Sequence, residues 1–298
     1  MTALSRSEAS DAALASAGAR PARGDILDRD ALSTAMDGAE VVYHLAGVNS
    51  FCLADPEPML RANVEGSRAV VAACKSAGVR RLVYTSSAAT LGEREGTTGS
   101  EESEHRGRYL SNYERSKHLA EEAVMRERGD LDVVSVNPSS VQGPGRATGT
   151  GKLILDVIGG RLPALVDTRL SIVDIDDCAR GHLLAEKHGQ SGRRYILNGF
   201  TLDMRDAVVL LERVLGRSIS VRFVPGWVAS AGAGAMEVVG RFTGQKPKFC
   251  REMVRTMLHG HTYDGSRATR ELGLEYTPAE RTLARLIEWA RGAGLITV

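Results

Sequence analysis

No run of eighteen apolar residues occurs anywhere in the 298-residue chain, so no segment reads as a membrane-crossing helix. The opening MTALSRSEASDAALASAGAR also lacks the continuous apolar core of a secretory leader. Neither sign of charge is in excess: Lys plus Arg number 38 against 37 for Asp plus Glu, a net +1 that leaves no basic stripe for nucleic acid or an anionic membrane surface. The four cysteines, Cys52, Cys74, Cys178 and Cys250, are too dispersed for a zinc knuckle or a Cys-x-x-Cys redox pair, and read as reduced thiols of a cytoplasmic protein. Asp174, Asp176 and Asp177 cluster without a histidine among them, so they read as a helix cap and no metal site is assigned. With 43% apolar residues the chain should bury a full core and be soluble and globular, and its expected partner is a small molecule.

What is present is an alternation. Short apolar runs, VVYHLAG (41–47), RRLVYTSS (80–87) and LDVVSVNPSSV (131–141), are separated by helix-length amphipathic segments. Strand–helix repetition of this kind predicts an α/β fold with a parallel sheet covered on both faces. Ligands of such sheets lie beyond the carboxyl ends of the strands, so the residues closing each run, Asp25, Ala46 and Gly47, Ser86 and Ser87, and Asn137 to Ser139, should face one crevice. SIVDIDDCARGHLLAEKHG and YILNG continue the strand–helix pattern. A glycine-rich stretch, GPGRATGTGKLILDVIGGRLPALVDT, and the mainly helical residues 200–298 read as something else: a smaller lobe, joined by residues 146–166, over the mouth of a 1–199 domain. GAGAMEVVG (232–240) reads as small residues where helices pack closely.

Tyr113 and Lys117 stand four apart in SNYERSKHLAEE, on one face of a helix. An ammonium beside a phenol favours the phenolate and lowers a pKa that starts near ~10, which makes an acid/base usable near neutrality. The spacing alone arises readily by chance. Ser87, at the end of an apolar strand, supplies the missing context as a hydrogen-bond donor to a substrate carbonyl oxygen. His105, in the polar loop EGTTGSEESEHRGR, reads as a solvated loop histidine.

GDILD (24–28), HLAG (44–47), NVEGS (63–67), RRLVYTSSA (80–88), YERSK (113–117), NPSSVQGPG (137–145) and SIVDIDD (171–177), with the tail YDGSRATRELGLEYTP (263–278), resemble in order and spacing the motifs of the extended short-chain dehydrogenases/reductases. Within them the chain is similar to the NAD-dependent epimerase/dehydratase group, in a dihydroflavonol reductase-like form. The resemblance implies a Rossmann-type doubly wound sheet. It also implies Tyr113 as general acid/base, Lys117 as its partner on the nicotinamide ribose, and Ser87 polarising the substrate oxygen. Asp25 and Ile26 would meet adenine, Ala46 and Gly47 would pack along the cofactor, and Pro138, Ser139 and Val141 would contact the nicotinamide. Asn63 would support the cofactor site from the helix after HLAG. Arg6 stands where an arginine accepts the 2′-phosphate of NADP, so the cofactor is NADP or NAD with a lean to NADP.

The family also opens with a strand, a glycine-rich turn and a helix, about thirty residues that bind the cofactor pyrophosphate. Nothing before residue 24 matches them, so the fold is expected to be N-terminally incomplete and cofactor binding weak. Ala88 and Ala89 replace the Asp-Glu pair of sugar-nucleotide 4,6-dehydratases, and Leu170, Ser171 and Ile172 replace the Arg-Asp-Phe of the epimerases, with Arg169 reading as a surface residue. These departures favour a reductase or dehydrogenase of a fairly apolar molecule. A nucleotide-sugar epimerase and a catalytically silent sensor are the alternatives. Family relatives pair through two long helices, here near 59–77 and 111–127, so a homodimer is an expectation.

Overall fold

The computed structural model describes residues 1–247 and 249–297. In chain order, β1 (Thr2–Ser5), α1 (Glu8–Ser16), β2 (Arg20–Arg23), α2 (Arg29–Met36), β3 (Val41–His44), α3 (Glu57–Ser76) and β4 (Arg81–Thr85) come first. They are followed by β5 (Thr98–Gly99), α4 (Asn112–Glu127), β6 (Asp132–Pro138), β7 (Ser140–Gln142), α5 (Gly149–Ile158), β8 (Ala164–Val166), β9 (Arg169–Asp174), α6 (Ile175–His188) and β10 (Arg194–Leu197). The remainder is β11 (Phe200–Asp203), α7 (Met204–Leu215), β12 (Arg222–Val224), α8 (Gly226–Thr243), α9 (Arg251–His259), β13 (Thr262–Tyr263) and α10 (Ala279–Gly292).

The four strands β10-β6-β4-β3 form a parallel sheet. Alternation of side chains explains why it needs cover on both sides: Leu82, Tyr84 and Val133 point into one core with α2, α3 and α4, whereas Val83, Val134 and Val136 point into another with Tyr195 and Leu197. Each such aliphatic side chain contributes roughly 1.5–3 kcal/mol on burial. β1 and β2 form a separate parallel pair, although Leu4 of β1 and Val42 of β3 pack on the same core cluster. The doubly wound order implied by the family resemblance places a strand between β1 and β3. Among the described residues none occupies that position, and the facing edges of both strands carry unpaired backbone groups.

Residues 146–166 join the later segment through β8, which pairs with β12, and through Ile154, Leu155 and Ile158, which pack against Leu211, Leu283 and Leu286. Phe200–Asp203, expected to open a helical lobe, is a strand paired antiparallel with β9, because its register sets Thr201 against Ser171 and closes a hydroxyl pair at 2.7 Å. α8 runs against α9, and Gly234 lets Arg251 approach where a side chain would clash. Asp174 caps α6, accepting from the Asp176 N–H at 2.8 Å, and also receives Thr282 and Arg285. No helix among the described residues is long and apolar enough to cross a membrane.

The reading of all four cysteines as reduced thiols is corrected. Cys52 and Cys250 are disulfide-bonded, while Cys74 and Cys178 are free. A sequence separation of 198 hid the pair, but the loop after β3 meets the start of α9 and brings the two Cα atoms to 5.6 Å.

Candidate active site

The site is built at the carboxyl ends of β3, β4 and β6. Ser87 leaves β4 and caps a single 3-10 turn (Ala88–Leu91), its Oγ accepting from the Ala89 N–H at 3.3 Å. Ser111 caps α4 in the same manner, accepting from Glu114, and so sets Tyr113 in the first turn of that helix. The Ser87 hydroxyl lies close enough to the Tyr113 phenol to favour its ionised form. The ring of Phe51, from the loop after β3, lies 5.8 Å from that of Tyr113 between centroids.

Lys117, one turn on, is buried and donates to the Thr85 carbonyl at 2.8 Å. Its ammonium also stands 5.2 Å from the centre of the Tyr84 ring. A methyl added at Gly47 would sit 3.3 Å from the Asn63 Oδ1 and 3.9 Å from the Lys117 Nζ, so Gly47 lies against both side chains. The Asn63 amide exchanges hydrogen bonds with Val48 N–H and C=O at 2.7 and 2.9 Å and reaches Ser116 at 2.8 Å. Those bonds hold the loop after β3 to α4.

The electrostatics depart from expectation in one respect. Tyr113 is half-exposed by area yet densely surrounded by atoms, and this burial raises its phenol above the ordinary value, with the Ser87 hydroxyl working against the rise. The Lys117 ammonium is turned to the Thr85 carbonyl. Burial lowers Lys117 to about 8, with Glu121 opposing. A base whose folded pKa is depressed holds fewer protons than its unfolded counterpart between about 8 and 10.5, so stability gained above that window is lost as the pH falls through it. The stability of wild type relative to Lys117→Met is accordingly expected to rise by about 3 kcal/mol as the pH goes from 8 to 10.5. Urea unfolding of both proteins over a pH series measures it, and parallel curves would contradict it.

The other candidate residues fall into two groups. Arg6 and Asp25 meet at the ends of β1 and β2 as an exposed ion pair of 3.7 Å, with Asp25 also accepting from the Leu27 N–H at 3.0 Å. Ile26 is partly spent in packing over Gly66 of α3, which explains the glycine of NVEGS. At the other end Ala46 is exposed, Pro138 is buried and Val141 is half-buried. Ser139 Oγ is buried with no hydrogen-bond partner, so a donor and acceptor stand unused at the end of β6. Lys117, the neighbouring Gly47 and the unpartnered Ser139 fit a nicotinamide and its ribose. No glycine-rich turn between a strand and a helix faces this edge among the described residues.

Two residues escaped the sequence reading. Phe51 carries no pattern that marks it. Glu121 does: Tyr113, Lys117 and Glu121 repeat every four positions on one face of α4. Its buried Oε2 collects Ser86, Thr90 at 3.0 Å and Asn137 at 2.6 Å, while Oε1 faces Arg194 at 3.4 Å. Asn137 in turn donates to the Ser87 carbonyl at 3.2 Å. One carboxylate thus ties the ends of β4 and β6 to the helix that carries Tyr113 and Lys117.

His105 is not a solvated loop residue. Its ring packs 4.4 Å from that of His118 and 5.0 Å from that of Tyr109, and its imidazole lies 3.6 Å from Glu114, because the loop folds back over Gly92. Arg169 remains on the surface, paired with Asp203 at 3.1 Å.

A family model described as the NAD dependent epimerase/dehydratase family matches residues 1–198. Among curated proteins, the chain is 33% identical over 282 residues to a protein of Synechocystis sp. provisionally named a dihydroflavonol 4-reductase, covering 92% of this chain and 82% of that one. It is 31% identical over 298 residues to sterol demethylase protein B of Methylococcus capsulatus, covering 98% and 90%. The crystal structure of gox2253 superposes with a TM-score of 0.85 at 32% identity, covering 99% of this chain and 91% of that one.

Proposed function

The chain belongs to the NAD dependent epimerase/dehydratase family, and from that premise we propose that it is an NAD(P)-dependent oxidoreductase interconverting a carbonyl and a secondary alcohol on a small, fairly apolar molecule. The observation that carries this is the Ser87–Tyr113 hydroxyl pair set beside buried Lys117 at the ends of β4 and β3. A nicotinamide dinucleotide bound there supplies or accepts the hydride. In the reducing direction the Tyr113 hydroxyl gives its proton to the substrate oxygen as the carbonyl carbon gains hydride, and Ser87 donates a hydrogen bond to the same oxygen. The tyrosinate left behind is favoured by Ser87 and by a Lys117 ammonium released from Thr85, until solvent returns the proton. Arg6 beside Asp25 supports a preference for NADP, with the guanidinium free to turn to a 2′-phosphate.

Phe51 against Tyr113 and the sterol-related name of one relative support an apolar substrate. Buried Ala88 and neighbouring Ala89 offer no carboxylate for elimination, and Arg169 is engaged with exposed Asp203, which speaks against a 4,6-dehydratase and a nucleotide-sugar epimerase. Offering the protein NADPH or NADH with aliphatic and steroid ketones and with sugar nucleotides tests the reading through the loss of reduced-nicotinamide absorbance. Ketone-dependent oxidation is expected. Interconversion of a sugar nucleotide without net oxidation would replace the proposal by an epimerase, and cofactor binding without turnover on any substrate by a sensor.

A further inference from the structure

A second cluster lies behind the turn that follows Ser87. Glu93 comes from the loop after that 3-10 turn, His259 is the last residue of α9, and His261 follows Gly260. Gly260 adopts a left-handed φ of +68°, which reverses the chain so that both imidazoles face Glu93, their ring centres 4.7 Å apart. Glu93 Oε1 is 3.5 Å from His259 Nε2 and 2.5 Å from His261 Nδ1, and the three donor atoms all lie within 4.8 Å of one another. His259 Nε2 also lies 3.2 Å from the Glu93 carbonyl oxygen. The Tyr263 hydroxyl stands 3.0 Å from His261 Nδ1.

We propose that Glu93, His259 and His261 form a binding site for a divalent transition metal ion, zinc by the chemistry of its donors. Two imidazoles with one carboxylate suit zinc and its first-row neighbours, whereas magnesium and calcium call for oxygen ligands. A second, independent observation points to a ligand: Glu93 Oε2 is buried with no hydrogen-bond partner, on a side chain only 2% exposed. An ion drawing in the three donors to about 2.0–2.2 Å would satisfy that oxygen or bring it to the coordination sphere, and the Tyr263 hydroxyl is placed as a fourth ligand or as its hydrogen-bond partner. Glu93 also lines a surface cleft with Thr97, Thr98 and Ser103. Thr262 and Tyr263, next in the chain, pair with Thr98 and Gly99. The ion therefore clamps the α9–β13 segment to the turn carrying Ser87, independently of the cofactor site.

Loading the purified full chain with zinc, then removing free metal by gel filtration, is expected to leave about one equivalent bound and to raise the melting temperature. Cobalt in place of zinc is expected to show the visible d–d bands of a four-coordinate nitrogen and oxygen site, without thiolate charge-transfer bands. Glu93→Gln and His261→Asn should each weaken retention roughly 100-fold. No retained metal, thiolate bands from Cys74 or Cys178, or retention in both variants equal to that of wild type would overturn the site. The wild-type cobalt spectrum decides the matter by itself if a variant fails to fold.

Discussion

Replacing Tyr113 by phenylalanine is expected to lower kcat roughly 10²–10⁴-fold while leaving the fold and cofactor affinity in place. The substitution removes one oxygen and keeps the ring that packs 5.8 Å from Phe51, so the apolar wall of the site survives. What is lost is the proton that must reach the substrate oxygen as hydride arrives. Because burial holds the phenol above its ordinary value, the protonated form is present across the neutral range, which suits it to donate in the reducing direction. Steady-state rates on any ketone found to turn over, together with circular dichroism and cofactor titration, measure the effect. A variant as fast as wild type would remove Tyr113 from the chemistry whatever the substrate.

Truncating Glu121 to alanine is expected to cost about 3–5 kcal/mol of folding stability, the largest effect of a single change that touches no substrate. The carboxylate is the shared acceptor of Ser86, Thr90 and Asn137 and the counter-charge of Arg194. Without it, two hydroxyls and an amide stay in the interior with fewer partners, and a half-buried guanidinium faces no anion. Glu121→Gln keeps the shape and should cost less, since its amide oxygen still accepts from some of the same donors. Urea midpoints of the two variants measure the difference, and a loss under about 1 kcal/mol for the alanine variant would refute the hub. Glu121 also acts electrostatically, opposing the effect of burial on Lys117. In Glu121→Gln the Lys117 titration should move further below about 8, a change that a purely structural role would not produce.

Much of the layout was legible before any coordinates. The apolar runs of 41–47, 80–87 and 131–141 contain the parallel strands β3, β4 and β6, and SNYERSK became the capped start of α4, since strand alternation and helix capping depend on neighbours within a few residues. Asp174 was readable as a cap for the same reason. The ordered motifs led to the family that the comparisons bear out. Other features were hidden. Cys52 and Cys250 are 198 positions apart, and His105 looked solvated because a string of polar neighbours does not reveal that the loop folds back onto His118.

Chemistry carried by residue type and short-range spacing belongs to the sequence itself: the alternating strands and helices, the Ser87, Tyr113 and Lys117 side chains, and the lack of a carboxylate at positions 88 and 89. Which groups meet and how deeply they are buried was decided only by the tertiary structure. It turned the Lys117 ammonium to Thr85, raised the Tyr113 phenol, gathered three donors on Glu121, and set Glu93 against His259 and His261. Proton affinity and ion binding depend on distances of a few ångströms and on the exclusion of water, and both arise between segments that the chain order keeps far apart.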